Sequence, residues 1–252
     1  AWLEGNGYGD DIPFNDSVLT SSIETTTSLD IYNKQITDIT GVEKMINLST
    51  LSAQDNLITF VNLTNMPSLR NVYLQRNDIV TADFSGTNDM EYLYLYENLL
   101  TQLTLPDSSY INNYWCQNYG ECGLLMSISD NQLSTINFPS SLRAWRLYAR
   151  NNPFDGIDVS SLSDLQELHL SYTNLVSLDL SSNNNLEYIS IIHNDSLLSL
   201  DVKNKIDLRS IYSYDNDELT NLDLRNINLV NINSHDFRNN PQLNCISVDN
   251  LT

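Results

Sequence analysis

Apolar residues return along this chain at a fixed distance. The pattern L-x-x-L-x-L-x-x-N-x-L is clearest at Leu69-x-x-Val72-x-Leu74-x-x-Asn77-x-Ile79, at Met90-x-x-Leu93-x-Leu95-x-x-Asn98-x-Leu100 and at Leu48-x-x-Leu51-x-Ala53-x-x-Asn56-x-Ile58. Indexed by its second apolar position, it runs Leu29, Leu51, Val72, Leu93, Tyr114, Met126, Trp145, Leu168, Ile189, Ile211, Ile232 and Ile246, and most steps are 21 or 22 residues. Apolar positions alternate within each copy, which predicts a short strand with one inward face. A single coil cannot bury that face; coils stacked side by side can, each strand bonding to the next in a parallel sheet. An inward Leu or Ile then contributes roughly 1.5–3 kcal/mol. The Asn that follows carries an amide able to donate and accept, and buried in the turn it satisfies backbone groups of its own and adjoining coils. Asn56, Asn77, Asn98, Asn131, Asn194 and Asn216 hold that place. Lys34, Tyr119, Arg150, Thr173 and Phe237 replace it, with Asn151, Asn152 and Asn174 close enough for a shifted turn to recruit.

This period is that of leucine-rich repeats. The predicted fold is β-rich α/β: a right-handed solenoid with a parallel concave sheet and a convex side of turns, extended pieces and short 3₁₀ segments. Residues 1–27 depart from the pattern; their apolar residues, Trp2, Leu3, Ile12, Val18, Leu19 and Ile23, predict an N-terminal cap. Residues 28–252 form the repeat domain, with about eleven to twelve coils expected. Tyr114 to Met126 is too short a step for a coil. It reads as a truncated coil or as an insertion within one long repeat, and a distorted coil is the expectation adopted. The short step to Ile246 predicts a terminal cap.

Composition narrows the function. Lys and Arg number 12 against 32 Asp and Glu, a formal charge of -20, which repels phosphate backbones and anionic membranes. No apolar run approaches the roughly 20 residues of a membrane span. The start at Ala1 reads as that of a trimmed or mature product. Cys116 and Cys122 enclose five residues; they are either a loop-clipping disulfide, which implies an oxidising compartment, or two free thiols. Their spacing is not that of a zinc site, so no metal is expected.

The chain resembles the secreted leucine-rich-repeat proteins of flavobacteria and related Bacteroidetes and, more distantly, internalin-type repeats. Three stretches carry the resemblance: Trp2 to Thr20, Ser28 to Glu43, and the closing Asn239-Asn240-Pro241-Gln242-Leu243-Asn244-Cys245-Ile246-Ser247-Val248-Asp249. The regular repeat is interrupted at 107–125. The resemblance implies export to the cell surface or medium and a binding or adhesive role; it implies no catalytic activity and names no ligand.

The residues one before, one after, three after and four after each indexed position face the concave side. Ten of the 14 tyrosines fall there: Tyr32, Tyr73, Tyr92, Tyr94, Tyr96, Tyr148, Tyr172, Tyr188, Tyr212 and Tyr214. Trp115 joins them in the Tyr114 register, as do His169, His193 and His235. Tyrosine is rigid and amphipathic, which suits recognition; it also suits strands in general, where rings simply cover each other. The expected binding face centres on Tyr73, Tyr92, Tyr94, Tyr96 and Trp115, with a second cluster of His169, Tyr172, Tyr188, His193, Tyr212 and Tyr214. Asp55, Glu97, Asp130, Glu167, Asp215 and Asp236 face the same side beside Arg76 and Arg146. A protein ligand, or else a neutral glycan, fits this better than an anionic polysaccharide.

Catalytic patterns are weak. Glu167 and His169, with His193 one coil on, have the form of a base with an orienting carboxylate, yet no nucleophile or pocket accompanies them. No phosphate loop, HExxH or GxSxG occurs. Asn6 to Asp16 offers oxygen ligands without the order of a calcium loop and reads as a capping turn. The expectation is a non-enzymatic extracellular module without cofactor that serves protein–protein contact or adhesion through its aromatic concave face, with a glycan-binding module of a larger secreted protein, or a structural spacer, as the alternatives.

Overall fold

A computed structural model describes residues 23–108, 117 and 123–249. Ten strands, one per coil, build a single parallel concave sheet: Ser28–Asp30, Thr50–Ser52, Asn71–Tyr73, Tyr92–Tyr94, Leu124–Ser127, Ala144–Tyr148, Glu167–His169, Tyr188–Ser190, Ser210–Tyr212 and Ser234–Asp236. Coils are numbered here by these strands. Leu29, Leu51, Val72, Leu93, Met126, Leu147, Leu168, Ile189 and Ile211 align from strand to strand and are all buried. The fold is a leucine-rich-repeat solenoid with one continuous apolar interior. No helix among the described residues is long and apolar enough to cross a membrane.

The opposite side is more regular than expected. Beside two 3₁₀ turns, Val42–Lys44 and Leu229–Asn231, it carries two three-stranded parallel sheets. One joins Phe60–Asn62, Thr81–Asp83 and Gln102–Thr104, the other Ser199–Asp201, Asn221–Asp223 and Cys245–Ser247.

The asparagine ladder holds the coils in register. Asn98 Nδ2 donates to Leu95 O of its own coil at 3.0 Å and to Leu74 O of the coil before at 3.1 Å, while its Oδ1 accepts from Ile79 N at 3.1 Å. Asn77 and Asn131 repeat the arrangement. In coil 7 Thr173 replaces the asparagine and bonds to the Asn194 amide. At Lys34 only the backbone N–H takes part, donating to Asn56 Oδ1 at 2.9 Å. The residue before each rung turns the chain with a left-handed backbone, φ between +51° and +57° at Asp55, Arg76, Glu97, Asp130, Asn151, Tyr172, His193, Asp215 and Asn239.

Three indexed positions are corrected. Leu147, not Trp145, aligns with Met126 and Leu168: it lies a regular 21 residues after Met126, whereas Trp145 is the extra residue of a bulge between Ala144, opposite Leu124, and Arg146, opposite Leu125. The rung is therefore Asn152, whose Oδ1 accepts from Leu133 N at 3.0 Å, and not Arg150. His235 stands opposite Ile211 in place of Ile232, and Asn240 replaces Phe237 as the rung. Ile246 pairs with Leu222 on the opposite side, not with the concave sheet. Tyr114 lies outside the described residues, as do Trp115, Tyr119, Cys116, Cys122 and residues 1–22 of the expected cap. Coil 4 nevertheless pairs directly with coil 5, and Leu100 N donates to Asn131 Oδ1 across 31 residues of chain, where the equivalent bond from Ile79 N to Asn98 spans 19. The interruption is thus an insertion within one long repeat, not a coil of its own, and the sheet has ten coils among the described residues rather than eleven to twelve.

Asn98→Ala strands three buried backbone groups and is expected to cost about 3 kcal/mol or more, read as a fall in the urea midpoint. A loss under about 1 kcal/mol, the size of one ordinary hydrogen bond, contradicts the ladder's role. Gly123, where the insertion rejoins the stack, has φ +105° and would place a Cβ 2.3 Å from Arg143 O, whereas Gly41 at φ +103° faces open space. Gly123→Ala is therefore expected to destabilise more than Gly41→Ala in the same measurement.

Candidate functional site

Because neighbouring strands lie about 4.8 Å apart, equivalent side chains on successive coils meet face to face. Tyr73 and Tyr94 stack with centroids 5.4 Å apart and planes at 20°; Tyr92 lies parallel to Tyr94 at 6.3 Å, and Tyr96 meets it edge-on. These four of the expected centre are brought together; Trp115 lies outside the described residues.

The second expected cluster divides in two. Tyr148, His169 and Tyr188 form one stack, with centroid separations of 4.5 and 4.6 Å, continued by Tyr212 at 5.6 Å from Tyr188. Tyr172 and His193 form another at 4.5 Å in the left-handed turns, where His193 Nε2 also meets Asp215 Oδ2 at 3.2 Å. Tyr214 is half-buried in coil 9. His235 is corrected: it occupies the inward register and is exposed because no described coil follows it.

His169 is corrected as well. It is outward-pointing but only 5% exposed, sandwiched between two tyrosine rings. Arg150 Nη2 lies 2.7 Å from its Nδ1. Arginine can only donate, so Nδ1 accepts and the ring proton sits on Nε2, toward Glu167 Oε2 at 3.9 Å. Glu167 also accepts from Tyr148 Oη at 2.8 Å and pairs with Arg146 Nε at 2.9 Å. Burial pushes the His169 pKa down, and Arg150 adds to this against the pull of Glu167. Burial pushes Glu167 up, but bonds from His169 and Tyr148 and the charge of Arg146 outweigh it and hold the carboxyl below its usual range. Tyr148 is pushed up to about 12 by burial and by its bond to Glu167. With both ring faces covered and Nδ1 occupied, His169 has no free lone pair to act as a base. The network orders the surface instead. Among the described residues no group of three or more His, Cys, Asp or Glu could hold a metal.

Most charges on this face are paired locally: Arg76 forks onto Asp55 at 2.6 Å, and Arg238 onto Asp236. Four contributors escape sequence reading. Arg150 was a ladder position by spacing. Gln54 and Gln75, in coils 2 and 3, each hold a buried amide oxygen without a partner among the described residues; only the concave column marks them. Ser127 interrupts the ring row between Tyr94 and Tyr148.

No family model matches the chain, and no curated protein matches it in sequence. Solved structures do. The leucine-rich repeat domain of LRIM1 superposes with TM-score 0.50 at 15% identity, over 88% of this chain and 69% of that one. The functional domain of InlJ from Listeria monocytogenes matches with TM-score 0.36 and 19% identity, over 92% of this chain and 65% of that one. Internalin C2 from the same organism matches with TM-score 0.39 and 23% identity, over 69% and 84%. The chain thus spans about two thirds of the length of the first two. At these identities the likeness is one of fold.

His169 is expected to remain neutral, with its proton on Nε2, at pH values where an ordinary histidine near 6.5 is half protonated. The unfolded chain takes this proton more readily, so the stability linked to it is present at neutral pH and lost as pH falls from about 6.5 toward the lowered folded value. Imidazole ¹⁵N resonances report both features, and Arg150→Gln should raise the titration midpoint. A ring titrating at or above 6.5 contradicts the buried network.

Proposed function

We propose that this chain is a non-enzymatic protein-binding module that acts outside the cell, in contact or adhesion, through its aromatic concave face. Residues 1–27 serve as its cap. The observation that carries the reading is the arrangement of the rings. Their faces are turned on one another, at 20° for Tyr73 and Tyr94 and 23° for Tyr148 and His169. They therefore present edges and hydroxyls outward, as a pre-ordered surface that loses little entropy on binding. A glycan that stacks its sugar rings on aromatic faces finds those faces already occupied, which favours a protein ligand. The extracellular setting rests on the resemblance to secreted bacterial repeat proteins. The -20 charge keeps nucleic acid away.

The test pairs capture of protein partners from native surroundings with a glycan array. Tyr94→Ala together with Tyr96→Ala is expected to weaken protein binding roughly a hundredfold, the effect of removing two hot-spot residues, while the array stays blank. Unchanged binding by a folded double variant would instead support a structural spacer.

A further inference from the structure

A lysine of this acidic chain stands where the fold elsewhere places an apolar side chain. Lys205, in coil 8, lies three residues before Leu208, and its carbonyl accepts from Leu208 N at 3.2 Å. Met45, Met66 and Leu162 hold the equivalent place in coils 1, 2 and 6; each is bonded in the same way to the leucine three residues on, and each is fully buried. Lys205 is only 2% exposed. Its ammonium has three protons to donate, and among the described residues Nζ makes one hydrogen bond, to Asn184 Oδ1 at 3.4 Å. Among the same residues it forms no ion pair. A buried charge left so is costly.

Lys205 lines a partly open cavity of about 120 Å³ together with Asp179, Ser181, Asn184, Asp201 and Asn204. Water takes up roughly 30 Å³ per molecule in the liquid, so the space admits an organic molecule of a few heavy atoms. The charges around it are unevenly matched. Asp201 is neutralised by Lys203, whose Nζ donates to it at 2.7 Å and whose backbone N–H donates at 3.0 Å. Asp179 accepts from Ser181 N at 2.8 Å and has no cation paired with it among the described residues. Lys205 and Asp179 nevertheless feel each other. Burial pushes the Lys205 ammonium down while the charges of Asp201 and Asp179 pull it up. Bonds from Ser181, joined by the Lys205 charge, hold the Asp179 carboxyl below its usual range. Two opposite charges thus border one cavity without touching. An anion gains at Lys205 and is repelled at Asp179, and a cation meets the reverse. A molecule that carries both charges gains at both ends.

We propose that this cavity is a site for a free α-amino acid, whose carboxylate accepts from Lys205 Nζ and whose ammonium donates to Asp179. Asp201 ends the strand Ser199–Asp201, so the site belongs to the side opposite the concave face and stands apart from the binding surface described above.

The test titrates the ¹⁵N-labelled full chain with glycine, and separately with acetate, methylammonium and glycerol. The Ser181 and Lys205 amide resonances should shift and saturate with glycine, at least about tenfold tighter than with any of the other three, the effect of one charge-assisted contact. Lys205→Met gives coil 8 the residue that coils 1 and 2 already bury, so the stack is expected to hold while the shifts disappear. Asp179→Asn keeps the turn, since Asn62 Oδ1 accepts from Thr64 N in the same way at 3.3 Å, and should reduce glycine to the level of acetate. Acetate, methylammonium or glycerol binding as tightly as glycine overturns the site. So does the absence of a saturable response, which means that the cavity holds water only. Glycine shifts that persist in a folded Lys205→Met variant overturn it as well.

Discussion

The structure depends on a buried amide that belongs to two coils at once. Each ladder asparagine bonds backbone groups of its own turn and of the turn before, as Asn98 does with Leu95, Leu74 and Ile79. A leucine interior is permissive about register, since apolar contact is not directional. The amide is not, because a coil that slips leaves buried polar groups unpaired. Where the asparagine is missing, a neighbour supplies part of its work: Thr173 leans on Asn194, and the Lys34 backbone on Asn56.

That spacing reaches the outer surface unchanged. Side chains at equivalent positions inherit the strand separation, which is close to the distance at which flat rings stack. The tyrosine and histidine rows are thus a direct outcome of how the interior is pinned. The left-handed residues before the rungs extend the same logic: their backbone, unusual for Arg76, Glu97, Tyr172 and His193, turns the chain so that these side chains stand clear at the rim.

The fold was legible in the sequence because its signal is repeated. Leu51, Val72 and Leu93 could each be misread alone but not together. Legibility failed where one copy departs from the rest. The apolar bulge residue Trp145, two residues short of the regular step, stood in for Leu147, and a near-repeat at Ile232 masked the true alignment of His235 with Ile211. Because the frame moved by an even number, Tyr148 still faced outward, so an error in index left the side assignment intact. Ile246 belonged to the sheet on the other side, which alternation within a single strand cannot reveal. Burial of His169 lay beyond sequence reasoning for another reason: it depends on Tyr148 and Tyr188, which are 21 and 19 residues away along the chain and adjacent only after stacking.

The junction between coils 4 and 5 shows what this architecture permits. The bond from Leu100 to Asn131 and the pairing of Leu93 with Met126 close the stack as though nothing intervened. The register there is carried by the flanking rungs and strands themselves, so extra chain between two coils costs the scaffold none of the bonds that align them.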